Sequence, residues 1–168
     1  METFEVLAKR ASVRDYMNQP VPKDMLEKLV DAGRRAPSAR AVEPWEFVVI
    51  TSRAMLDKLA GIISTGVFLK QATACIVVFC QDTKYYLEDG SAATENILLA
   101  ATDLGLGTCW IAGDKKEYCE EVSKLLGAPG HLKLISLISV GWAVREPKQR
   151  KRRTLSEVLH WEGLSLQK

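Results

Sequence analysis

Three short stretches of the 168-residue chain carry side chains whose types and spacing could bind an anion or a flat ring. The first is Arg10-Ala11-Ser12-Val13-Arg14. In an extended backbone alternate side chains share one side at about 6.6 Å per step, so two guanidinium groups flank one hydroxyl. Forked arginine donors with a short serine donor suit a phosphate and offset the desolvation of a dianion. Taken alone, the same residues more often describe an ordinary basic surface strand. The second stretch, residues 36–47, contains Pro37, Ser38, Ala39, Arg40, Ala41, Glu43, Pro44 and Trp45. Prolines stiffen it at two points and small residues let the backbone approach a flat ligand. Its plainer reading is a helix-to-strand loop anchored by Trp45 in the core. The third, residues 107–113, runs as a strand through Cys109, Trp110, Ile111 and Ala112 into Gly113, where free backbone N–H groups could face an acceptor atom.

A fourth feature is charge. The net charge is only +2, yet Arg145, Lys148, Arg150, Lys151, Arg152 and Arg153 crowd one segment against the single acid Glu146. A solvated tail, a nucleic-acid patch and a clamp for one small anion all fit that composition. No aromatic platform or recognition helix accompanies the charge, so no nucleic-acid partner is expected. Cys75, Cys80, Cys109 and Cys119 show neither zinc-site spacing nor the density of a disulfide scaffold, and they read as buried free thiols. His131 and His160 lack partners at metal-ligand spacing, so no metal is expected. The longest apolar runs are too short to span a bilayer, and the charged first ten residues do not read as a secretory signal. A cytoplasmic protein with no membrane association is the expectation.

The elements that must position these stretches follow from periodicity. Helices are expected over residues 2–8, over 24–33 with Asp24 as cap and Leu26, Leu29 and Val30 at helical spacing, over 53–60, and over 115–126. Strands are expected over 47–50, 74–80, 108–111 and 132–140. The continuous apolar run 74–80 suits a strand covered on both faces. Residues 82–88 read as polar connection, and 90–104, rich in Ala and Leu, as a central helix buried nearly all round. Helices and strands mixed around one sheet make an α/β or α+β class, in one domain over residues 1–168. A doubly wound nucleotide fold is disfavoured, because the one glycine pair, Gly105 and Gly107, follows a helix and precedes a strand.

Taken in order, the motifs resemble those of the FMN-dependent nitroreductases. Arg10-x-Ser12-x-Arg14 resembles the family's opening signature, and Ala36-Pro37-Ser38 ahead of Pro44-Trp45-x-Phe47 its second. The Ala-rich helix running into Leu104-Gly105-Leu106-Gly107-Thr108 resembles the third, Ser139-Val140-Gly141-Trp142 the closing strand, and the basic segment with Leu155-Ser156-Glu157-Val158 the C-terminal tail. The resemblance spans nearly the whole chain. It implies an α+β nitroreductase-like fold with a central mixed or antiparallel sheet flanked by helices, and a C-terminal tail extending onto a partner subunit.

The resemblance also implies a homodimer with FMN at its interface and NADH or NADPH as electron donor. Hydride would pass through flavin N5 to a small electrophile such as a nitroaromatic or quinone, with no catalytic side chain. Arg10, Ala11 and Ser12 would hold the phosphate and ribityl chain, and Arg14 the pyrimidine edge. Pro37, Ser38 and Ala39 would meet the flavin of the partner subunit, while Ile111, Ala112 and Gly113 would present backbone groups near N5 and O4. Either Arg150 with Arg152, or Lys148 with Arg150, would reach the phosphate from the tail. Ala41 and Glu43 stand where family members commonly carry Asn and Gln. Little chain lies between residues 61 and 74, where larger members make an excursion over the flavin face. A flavin-binding carrier, sensor or docking protein without ordinary turnover is the alternative.

Overall fold

The strand Ala74–Gln81, β2, lies at the centre of the computed structural model, which describes residues 1–164. Its side chains are buried from Ala74 to Cys80, as expected of a strand sandwiched between two layers. Ala74, Ile76, Val78 and Cys80 point into one core and Cys75, Val77 and Phe79 into the other. The first core is closed by α2 (Lys23–Gly33) and α4 (Tyr86–Asp103). The second is closed by α3 (Arg53–Ile62), the 3₁₀ stretch Ser64–Lys70 and α5 (Cys119–Leu125).

Around β2 stand β1 (Trp45–Ile50), β3 (Gly107–Ala112) and β4 (Leu132–Gly141), in the order β1-β2-β4-β3. All three pairings are antiparallel. Helices on both faces of an antiparallel sheet give the α+β class, so the mixed sheet allowed by the sequence resolves to an antiparallel one. The outer edge of β3 is extended by a parallel bridge from Ser12 to Thr108, which seats the Arg10–Arg14 segment beside it.

The helix α4 has no exposed residue from Asp89 to Thr102. Gly90 permits that burial, because a Cβ there would lie 2.7 Å from the Ile135 side chain on β4 and 2.9 Å from the Cys80 sulfur. The helix starts at Tyr86, so its first turn occupies part of the segment expected to be a polar connection. The helix expected over 115–126 is shorter than its pattern: α5 begins at Cys119, because Lys115 takes a left-handed φ of 58° that no α-helix contains. At the N-terminus, α1 (Thr3–Lys9) closes the list of helices and leads directly into the Arg10–Arg14 segment. Among the described residues no helix is long and apolar enough to cross a membrane.

Candidate functional site

A cleft of about 600 Å³ opens where the Arg10–Arg14 segment, the Ser64–Lys70 stretch, β3 and the turn before α5 meet. The alternation expected of residues 10–14 is present: Val13 is buried while Ser12 and Arg14 are exposed on the other side. Val13 is fixed by donating its N–H to the Thr108 carbonyl at 2.8 Å. Arg14 reaches into the cleft and lies over the Phe68 ring, 5.7 Å from its centroid, where the ring's quadrupole attracts the cation.

The thiol of Cys109 marks where the motif converges. Burial pushes it up, while the charges of Arg14 and Arg10 and a hydrogen bond with Ser12 pull it back down. Of the three polar residues singled out from spacing, Arg14 shares the cleft lining with Cys109, and Ser12 is seated against β3 by its bridge to Thr108. Arg10 itself is only loosely held, 4.0 Å from the Glu95 carboxylate.

Not every residue of the third motif plays the part its type allowed. Gly113 gives its N–H to the Ile135 carbonyl at 2.9 Å, and strand alternation turns the N–H of Ile111 toward β4 as well. Neither N–H is free for a ligand. The backbone of Ala112 faces the open side, where its carbonyl accepts the Tyr118 hydroxyl. Of the three, only Ala112 therefore offers its N–H to the cleft, and Ile111 contributes a buried apolar side chain. Gly113 has a packing reason to be glycine, since a Cβ would sit 2.8 Å from the backbone of Ile135.

The second motif does not join this cleft within one chain, as Pro37, Ser38 and Ala39 are absent from its lining. They form a separate, stiff loop. The Ser38 hydroxyl accepts the Glu43 N–H at 2.9 Å, and the Asp89 carboxylate accepts the Ala39 N–H at 2.9 Å. Arg40, Ala41 and Glu43 all hold positive φ, of 58°, 53° and 50°. Such conformations persist in non-glycine residues only where surrounding contacts enforce them.

The chain's two ends do meet. Gln149 donates to the Lys9 carbonyl at 2.7 Å, which brings the basic segment beside Arg10. Arg153 is occupied by the Glu157 carbonyl, inside a turn capped reciprocally by Thr154 and Glu157. Among the described residues no ion pair holds Lys148, Arg150 or Arg152. Beyond them Leu155, Trp161 and Leu164 are more than two-thirds exposed, at 72%, 78% and 80%.

Several cleft residues escape sequence reasoning. Phe68 lies in the segment expected to contribute little, and no periodicity marks it. Lys115, Lys116 and Tyr118 were hidden inside a helical pattern that the chain abandons. Outside the cleft, Asp89 also went unmarked, since it lies just ahead of the helix expected over 90–104 and only the structure puts it inside α4.

The model of the "Nitroreductase family" matches residues 7–88 and 68–142, which together run from the end of α1 to the end of β4. The chain belongs to the nitroreductase family. An Archaeoglobus fulgidus protein named "Putative NADH dehydrogenase/NAD(P)H nitroreductase" is 36% identical over 89% of this chain and 88% of its own length. A Parabacteroides distasonis structure bearing the same name superposes with a TM-score of 0.92 at 34% identity, over 98% of this chain and 99% of that one. A Desulfovibrio desulfuricans structure, described as "a putative nitroreductase in complex with fmn", superposes with a TM-score of 0.83 at 27% identity, over 98% and 99% of the two chains. The nitroreductase-like fold implied by the motifs is thus the fold observed.

Proposed function

We propose that this chain is an FMN-dependent oxidoreductase of the cytoplasm, a homodimer that takes hydride from NADH or NADPH and reduces a small electrophile such as a nitroaromatic or quinone. The observation that carries the reading is the seating of the Arg10–Arg14 segment along the edge of β3, which puts Arg14 over Phe68 in one cleft with the outward-facing backbone of Ala112. The donor set suits FMN on both of its chemical faces. Arg10 and Ser12 provide a cation and a hydroxyl for a phosphate dianion, and Arg14 with Phe68 provides a charged, flat wall for the ring system. The FMN named for the Desulfovibrio relative supports the same assignment.

When bound, FMN supplies the acceptor for the hydride of NAD(P)H and the two electrons that reduce the second substrate. The protein's own residues bind and orient. Arg14 favours negative charge at the pyrimidine edge, and the Ala112 N–H donates along the same side. Pro37, Ser38 and Ala39, held as a stiff loop away from their own chain's cleft, serve the flavin of the partner subunit. Arg150, common to both candidate pairs with Lys148 and Arg152, brings the tail's charge to the phosphate. The exposed Leu155, Trp161 and Leu164 extend onto the partner and lose their apolar exposure there. Residues 1–168 act as one unit, of which 165–168 lie outside the described residues.

The test is the absorbance spectrum of the purified protein, identification of the released chromophore, and anaerobic addition of NADH or NADPH. A yellow protein that releases FMN and bleaches with either donor is expected. A yellow band that survives both donors would assign the carrier or sensor role instead, and a colourless protein with no affinity for added FMN overturns the reading.

A further inference from the structure

The turn between β3 and α5 places two ammonium groups at the mouth of the cleft, and nothing in the flavin assignment uses them. Lys115 and Lys116 both line the cleft, with Arg14 also in its wall and Glu117 as the acid among its lining residues. Lys115 is held with φ of 58°, a conformation in which Gly or Asn sits without strain. Three bonds enforce it: Lys116 donates its N–H to the Gly113 carbonyl at 3.2 Å, Tyr118 donates to Ala112, and the Cys119 thiol donates to Gly113. A rigid turn thus presents both side chains on one rim.

The neighbouring acid pairs only loosely with Lys115. Asp114 accepts the Tyr86 hydroxyl at 3.0 Å, while the Lys115 Nζ stands 3.8 Å from its carboxylate, beyond hydrogen-bond length, with its side chain 82% exposed. Among the described residues no ion pair holds Lys116. Trp110, 36% exposed, lines the same cleft and offers a face for a flat ring. Aromatic side chains, Phe68, Trp110 and Tyr118, in the wall of a largely polar cleft and two cations at its rim suit a ligand with a planar head and a phosphorylated end.

We propose that Lys115 and Lys116 form the recognition site for the phosphates of the nicotinamide dinucleotide, a specificity element for the electron donor. This rests on the flavoenzyme reading above. The test uses the FMN-loaded protein and the variant K115N/K116Q, since Asn tolerates the left-handed backbone and keeps the turn. Calorimetric titration with NADP⁺ is expected to show affinity weakened about tenfold, with a flatter dependence on salt than the wild type. In steady state the ratio of kcat/KM for NADPH to that for the uncharged donor 1-benzyl-1,4-dihydronicotinamide is expected to fall by about the same factor.

Equal losses with both donors would reduce the lysines to a structural role, and an unaltered NADP⁺ affinity would remove them from recognition; either overturns the proposal. So does a variant that loses FMN instead of NADP⁺, which would assign the lysines to the flavin phosphate. A rise in KM for 4-nitrobenzoate over nitrobenzene with NADP⁺ affinity kept would assign them to an anionic acceptor, again against the proposal. A wild-type protein that holds no FMN fails the flavoenzyme reading itself, through a readout separate from all of these.

Discussion

The carboxylate of Asp89, buried in the first turns of α4, accepts the backbone N–H of Ala39 at 2.9 Å and so ties the central helix to the loop of positive-φ residues. Replacing Asp89 by Ala leaves the Ala39 N–H without its acceptor. We expect a loss of about 1–3 kcal/mol, with Asp89→Asn recovering part of it because an amide oxygen remains in place. Urea unfolding of the two variants checks this, and identical midpoints for D89A and the wild type would show that the bond does not hold the loop.

Arg10 and Arg150 are assigned to one phosphate from opposite ends of the chain. Each Ala variant should weaken FMN retention by about 1.5–3 kcal/mol, the range for a hydrogen bond to a charged group. Because they share a ligand, the double variant should depart from additivity by about 0.5 kcal/mol or more. Strict additivity in FMN titrations would place them at separate sites.

Gly113 meets β4 through its backbone, and a Cβ would press on Ile135 carbonyl atoms at 2.8 Å. Backbone yields less readily than a side-chain terminus, so Gly113→Ala is expected to cost about 1–3 kcal/mol. Ala112, its neighbour, should shift with it, so weakened FMN binding ought to accompany the lowered melting temperature. A melt indistinguishable from the wild type would contradict the close approach.

Alkali provides a test of the core. Burial pushes the Cys75 and Cys80 thiols up to about 12 from an ordinary 9.0. Burial raises the Tyr16 phenol too, against a hydrogen bond with Ser139. The unfolded thiols ionise from about pH 9 upward while the folded ones stay protonated. Their contribution is therefore complete below pH 9 and is lost as pH rises toward 12, at about 1.4 kcal/mol per pH unit for each thiol. Denaturant midpoints between pH 8 and 10.5 should fall steeply, and Cys75→Ala should flatten the fall; equal slopes in the two proteins would count against it.

Much of the frame was legible because it depends on neighbours in the chain. The seven-residue apolar run from Ala74 to Cys80 announced a doubly covered strand, and the alternation of Arg10, Ser12 and Arg14 announced one polar side. Where pattern and structure part, a distant contact is responsible. Residues 115–118 carry a helical pattern but turn back on Gly113, whose N–H is already committed to Ile135 on β4. Similarly, Gly113 and Ile111 looked available as donors because their strand was visible while its register was not.

By itself the sequence determined the order of helices and strands, the alternation of polar side chains over residues 10–14 and the family to which those motifs belong. Each rests on side-chain type and on spacings of a few residues, which local backbone geometry converts into a shared face. Only the tertiary structure decided that Phe68 lies beneath Arg14, that Gln149 meets Lys9, that Asp89 holds Ala39 and that two lysines stand at one rim. The first three join residues far apart in sequence, and the rim puts the adjacent lysines in one cleft with Arg14 and Phe68; no local preference specifies which distant surfaces the packing of two cores will bring together.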